Sequence, residues 1–104
     1  TPMTVREMLH CSAIWDRWAY AVESAADPAF EKGLRAELSV KNAKSRQRYW
    51  HRMARREMRE DDDEAYFESS RARGESEADE TYAEYVAGTE SGNSTMIGWL
   101  ASCK

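Results

Sequence analysis

Apolar residues recur along the first quarter of the chain as Met8, Cys11, Trp15, Trp18, Val22 and Ala25, at alternating spacings of three and four. That period predicts a helix from Met3 to Ala26, with Arg6, His10, Arg17 and Ser24 facing away from the apolar seam. Thr4 and Glu7 form a T-x-x-E capping box, in which hydroxyl and carboxylate satisfy orphan N–H groups reciprocally. Met3 and Met8 occupy the two positions of a hydrophobic staple.

Asp27-Pro28 restarts the chain, because Asp caps well and Pro suits the first helical position. Phe30, Leu34 and Leu38 follow at i, i+4, i+8, with Gly33 a weak or closely packed point inside the stripe. Ser39 is positioned to cap the next helix; the alternative is one unbroken helix over residues 28–60. Beyond the break near residues 60–62, Tyr66 and Phe67 anchor a short helix from Asp63 to Arg73, which Gly74 stops. Another helix is expected over 75–87, with Ser76 and Asp79 spaced like a capping box and Gly88 as terminator. Thr89 to Asn93 reads as a loop, and Ser94 as the cap of a last helix carrying Met96, Ile97, Trp99 and Leu100.

The pattern is most polarised between Lys41 and Arg59. Lys41, Lys44, Arg48, Arg52, Arg55 and Arg59 fall within a roughly 80° arc of a helix, a continuous cationic ridge. Ala43, Gln47, Trp50, Ala54 and Met58 lie opposite, while Arg46 and Arg56 lie off the ridge. The opposite charge follows at once in Glu60, Asp61, Asp62, Asp63 and Glu64. Three consecutive aspartates suit a helix N-terminus, where free N–H groups and the macrodipole favour negative charge.

Charge therefore matters more by distribution than by total. The net charge of −4 hides a 41–59 block with eight cations and one carboxylate, followed by a 60–80 block with two cations and ten carboxylates. A basic block can bind phosphates within an acidic protein, because fields are screened over about 8–10 Å at cellular salt. The 104 residues suffice for one helical domain. Helix-favouring Ala, Glu, Arg and Met are frequent, and four Trp, five Tyr and two Phe supply much of the core. The expected fold is an all-α bundle of four to six helices packed around Trp15, Trp18, Phe30, Leu34, Trp50, Tyr85 and Trp99. The first helix and the ridge helix are its central pair. So many aromatics on a short chain favour a homodimer over a monomer. Thr1-Pro2 reads as a remnant ahead of an initiator Met3.

Several chemistries find little support. No apolar run approaches the roughly 18 residues of a membrane span, and there is no signal-peptide pattern. Cys11 and Cys103 are too few for a disulfide framework, so unpaired thiols in a reducing, cytoplasmic setting are expected over a bridge joining the chain ends. His10 points away from Cys11, so the two make no nucleophilic dyad. Glu57, Asp61, Glu64 and Glu68 would align on one continuous helix, but the Glu-x-x-His pairs of a dinuclear carboxylate site are missing. Gly88 to Thr95 resembles a phosphate loop only faintly, with Asn93 where Lys belongs. No catalytic residue, cofactor or metal site is expected.

Two surfaces remain. Lys41, Lys44, Arg48, Arg52, Arg55 and Arg59 can contact successive phosphates or an acidic protein. Asp61, Asp62, Asp63 and Glu64 can engage a basic partner, even by mimicking phosphates. The plainer reading of either block is a solvated face or mutual pairing. The expectation is a non-enzymatic regulatory or inhibitory protein that binds a macromolecule, a protein foremost, through charged helical surfaces. A nucleic-acid-binding module using helix 41–59 is the alternative. A short, acidic, aromatic-rich helical chain without catalytic motifs is similar in character to accessory and inhibitor proteins of phages and mobile elements.

Overall fold

The computed structural model describes residues 2–104. It is all-α: α1 (Val5–Glu23), α2 (Pro28–Lys32), a 3-10 turn (Ala36–Leu38), α3 (Val40–Glu57), α4 (Glu64–Val86) and α5 (Glu90–Ser102). The capping box forms as expected, with the Thr4 hydroxyl accepting from Glu7 N–H at 3.1 Å and the Glu7 carboxylate accepting from Thr4 N–H at 3.0 Å. Met3 stays 71% exposed, so its half of the staple is not used.

Helix α1 is the hub. It packs against α3 and α4 on different flanks and against α5 and α2 besides, whereas α3 and α4 do not lie side by side. A helix covered on several sides must be apolar well beyond one stripe, and buried residues run from Met8 through Trp15 without a gap. This corrects the expected outward face: His10 is only 6% exposed and Arg17 lies half-buried against α4. Trp15, Trp18 and Trp50 are buried as expected, and Leu34 and Tyr85 pack partly against them. Phe30 and Trp99 instead keep 36% and 40% of their surface in solvent.

Each buried indole has an acceptor. Trp18 Nε1–H donates to the Leu38 carbonyl at 2.8 Å. Trp15 and Trp50 both donate to the Cys103 carbonyl, at 2.7 and 2.8 Å. One carbonyl past the end of α5 thus ties together α1, α3 and α5, and no indole N–H in this group carries the cost of an unmade bond. The Cys103 sulfur is bonded to that of Cys11, with the Cα atoms 5.4 Å apart. The expectation of unpaired thiols is thereby overturned. Cys11 belongs to the apolar seam of α1, and docking the apolar face of α5 brings residue 103 to it across 92 positions of sequence. The cytoplasmic expectation rested on free cysteines, and the bond withdraws that support.

The middle of the chain resolves into separate pieces. Asp27 caps α2 through Ala29 N–H, and Ser39 caps α3 through Asn42 N–H at 3.1 Å, so residues 28–60 are not one helix. Helix α3 ends at Glu57, with Met58 extended. Asp62 N–H then donates to the Arg59 carbonyl at 3.0 Å, and Arg59 N–H to the Asp62 carboxylate at 2.8 Å, closing the turn before α4.

Gly74 does not stop a helix. Helix α4 runs through it, because a Cβ there would lie 3.0 Å from the His10 nitrogen and 3.1 Å from the Leu9 carbonyl carbon. The glycine is the point where the α4 backbone rests on α1. Helices 63–73 and 75–87 are therefore one, and Ser76 and Asp79 are mid-helix residues. Gly88, at φ +77°, does end α4 in the left-handed conformation that glycine adopts freely. The expected loop 89–93 is the first turn of α5, capped by Thr89 rather than Ser94. Gly92 there sits against the Glu84 carbonyl, where a side chain would collide.

Two predictions follow from this packing. Gly74→Ala should destabilise by about 1–3 kcal/mol, the scale of an overpacked contact. Gly98→Ala, facing open space within α5, should stabilise by about 0.5–1 kcal/mol; urea denaturation of both variants checks the contrast. Thiol titration of the native protein should find no free cysteine. Reduction should cost about 2–5 kcal/mol, as expected for releasing so long a loop, read as a lower midpoint in thermal melts with reductant.

Candidate binding surface

Helix α3 turns Ala43, Trp50 and Ala54 into the core and leaves Lys41, Lys44, Arg48, Arg52 and Arg55 exposed. The ridge is thus real but shorter than expected. Arg59 lies beyond the helix end and its backbone serves the Arg59–Asp62 turn. At a rise of 1.5 Å per residue, Lys41 to Arg52 spans about 16 Å.

The five helical cations differ in their freedom. Lys44 Nζ pairs with Glu23 on α1 at 3.3 Å. Arg55 pairs with Glu64 and lays its guanidinium over the Phe67 ring, 3.6 Å from the centroid. His51 meets the same ring edge-on at 5.6 Å, so the end of α3 is pinned to the start of α4. Lys41, Arg48 and Arg52 have no carboxylate within ion-pair distance among the described residues. They are the uncompensated part of the ridge. Trp50 is buried and Tyr49 half-buried beneath the Arg46 guanidinium at 4.1 Å, so α3 offers no free aromatic face for base stacking.

The acidic block is largely occupied by local structure. Asp62 closes the turn onto Arg59, Asp63 caps α4 by accepting from Tyr66 N–H at 2.9 Å, and Glu64 holds Arg55. The Arg55 hydrogen bond keeps the Glu64 carboxyl below the usual range. Glu60 and Asp61 are exposed without such a partner among the described residues. The four carboxylates that would align in an unbroken helix are split between α3, the turn and α4. Among the described residues, no three His, Cys, Asp or Glu side chains are placed to hold a metal ion. No described helix is long and apolar enough to cross a membrane.

Acidity is instead displayed along α4, which carries seven carboxylates and two arginines. Arg17 of α1 reaches this surface and is gripped by Asp16 at 2.6 Å, Asp79 at 2.7 Å and Glu75. Burial disfavours its charge, but the hydrogen bonds it donates to Asp79 and Glu75 outweigh that and raise its pKa. Arg6 holds Glu77 at 2.7 Å and depresses that carboxyl. Arg71 and Arg73, expected in a last turn, stand mid-helix beside Glu68, Glu75 and Glu77. The Arg17 cluster was missed because its partners lie 58 and 62 positions away in sequence.

His10 stands near this pairing, edge-on to Trp99 with ring centroids 4.4 Å apart. Burial lowers its pKa, Glu77 opposes that shift and Arg6 adds to it. The folded protein therefore holds His10 neutral where the unfolded chain begins to protonate it, near pH 6.5. The unfolded state then binds more protons, so stability falls as pH drops through about 6.5 toward the folded pKa. His10→Gln should flatten the stability-versus-pH curve between about pH 7 and 5.5, read as denaturation midpoints across that range.

Comparison with known protein families, with curated proteins and with solved structures returns no match, so this surface and its charges carry the functional reading alone.

Proposed function

We propose that the protein is a non-enzymatic regulatory or inhibitory protein that captures an acidic face of a macromolecular partner, a protein foremost, on the outer surface of α3. One observation carries the reading: Lys41, Arg48 and Arg52 stand exposed on one face of a helix whose other face is locked in the core, and no carboxylate compensates them among the described residues. Ion pairs already formed at a surface gain little from a partner, whereas uncompensated charges steer association and select the partner. The acidic α4 supplies the opposite end of the electrostatic field, which orients an approaching partner. Cys11 sits in a disulfide, which supports a binding role over thiol chemistry. The basic-partner role for Asp61 to Glu64 has less support, since three of the four have structural tasks.

The alternative is a nucleic-acid-binding module. It is favoured by the row of cations over about 16 Å, which fits contact with successive phosphates. Because Trp50 is buried, such binding would use backbone charge and not base stacking.

Fluorescence anisotropy with a labelled glutamate-rich peptide and with labelled duplex DNA, at about 50 and 200 mM salt, separates these readings. The expected outcome is peptide binding that weakens at least tenfold in Lys41→Glu/Arg48→Glu/Arg52→Glu while DNA binds weakly. Strong duplex binding with a steep salt slope, lost in the same variant, favours the alternative. No binding to either at low salt overturns both.

A further inference from the structure

A cleft of about 680 Å³ opens on another side of α3, between that helix, α1, the 3-10 turn and α5. Its apolar part is built from Trp15, Leu38 and Leu100, with Ile97, 39% exposed, at the lip. Its charged side chains are Arg35, Arg46 and Lys104, against the one acidic side chain of Glu37. That carboxylate is already paired with Arg35 at 3.7 Å. Arg46 and Lys104 have no carboxylate within ion-pair distance among the described residues.

Arg46 is the unusual member. Its guanidinium is stacked 4.1 Å from the Tyr49 centroid and 5.9 Å from that of Trp50, which fixes its plane beside the apolar wall. Its Nε is enclosed yet has no hydrogen-bond partner among the described residues. A buried donor left unmade is uncommon and costly, so the side chain is not held there by a structural hydrogen bond. A guanidinium presented as a planar fork beside hydrophobic surface matches a carboxylate attached to an apolar body. The volume lies within the range of small-molecule sites, which combine apolar walls with a few convergent polar groups.

We propose that this cleft binds amphipathic monocarboxylates, with the carboxylate on the Arg46 guanidinium and the aliphatic body along Trp15, Leu100 and Ile97. The site is separate from the exposed cationic face of α3, so it stands or falls independently of the partner reading. Trp15 is held in place by its bond to the Cys103 carbonyl. Cations converging on an apolar wall select against neutral and cationic amphiphiles of the same length.

Isothermal titration with sodium decanoate, below its micelle concentration, tests this on the intact oxidised protein. One-to-one saturable binding is expected, with little or no binding of decyltrimethylammonium. Arg46→Met should weaken decanoate about tenfold or more, the scale of one charge-assisted hydrogen bond. Ile97→Glu, at the exposed lip where folding is not at stake, should weaken it as strongly and decides the matter if Arg46→Met does not fold. Absence of decanoate binding overturns the proposal. So do equal binding of the cationic amphiphile, unchanged affinity in Ile97→Glu, or capture only by anionic phospholipid vesicles or an acidic-apolar peptide.

Discussion

The structure depends on how the end of α5 is held at its centre. The Cys103 carbonyl accepts hydrogen bonds from the indoles of Trp15 on α1 and Trp50 on α3, while its sulfur is bonded to Cys11 on α1. Burying an indole is favourable only if its N–H is satisfied, and here one backbone acceptor satisfies two. The last carbonyls of a helix lack intrahelical partners, so a carbonyl at that point is free to serve. Removing residue 103 from this position would leave two buried donors unpaired and open one wall of the bundle. The apolar packing, the two hydrogen bonds and the covalent link depend on one another.

Around that anchor, α1 behaves as a core helix and not as one side of a bundle. It is covered by α3 and α4 on different flanks, and the two outer helices carry opposite charge. Helix α3 has seven cations and one carboxylate, while α4 has seven carboxylates and two cations. Since α1 keeps them apart along most of their length, they do not neutralise one another. They touch where Arg55 meets Glu64 and Phe67. The molecule consequently presents a cationic and an acidic helix on different sides. This supports a reading in which field and orientation, not a catalytic constellation, govern what it meets.

Charges near the core are treated differently from those outside. Arg17 is drawn partly out of water and receives three carboxylates, because a desolvated guanidinium without partners would be strongly unfavourable. His10 is buried, its Nε2 has no hydrogen-bond partner among the described residues, and burial lowers its pKa. Lys41, Arg48 and Arg52, exposed to solvent, need no partner to be tolerated and so remain available for one. The two kinds of cation could not be told apart by residue type or spacing, since Arg17 was placed by the α1 period on the solvent side.

What the sequence by itself determined was whatever depends on neighbours within a turn or two. The Thr4–Glu7 box, the Asp27 and Ser39 caps, the terminating Gly88 and the two-faced α3 are all local hydrogen-bonding or periodicity effects, and each appears as the residues imply. The tertiary structure alone decided the rest. Gly74 carries the same local signal whether it ends a helix or lets two helices touch, and only the presence of Leu9 and His10 against it selects the second. Cys11 and Cys103 become partners because α5 docks, an event that spacing does not encode. Likewise, which of the ridge cations stay unpaired depends on Glu23 and Glu64 arriving from other elements. Short-range order is written in adjacent residues, whereas pairing, burial and free charge are properties of surfaces that exist only once the chain has closed on α1.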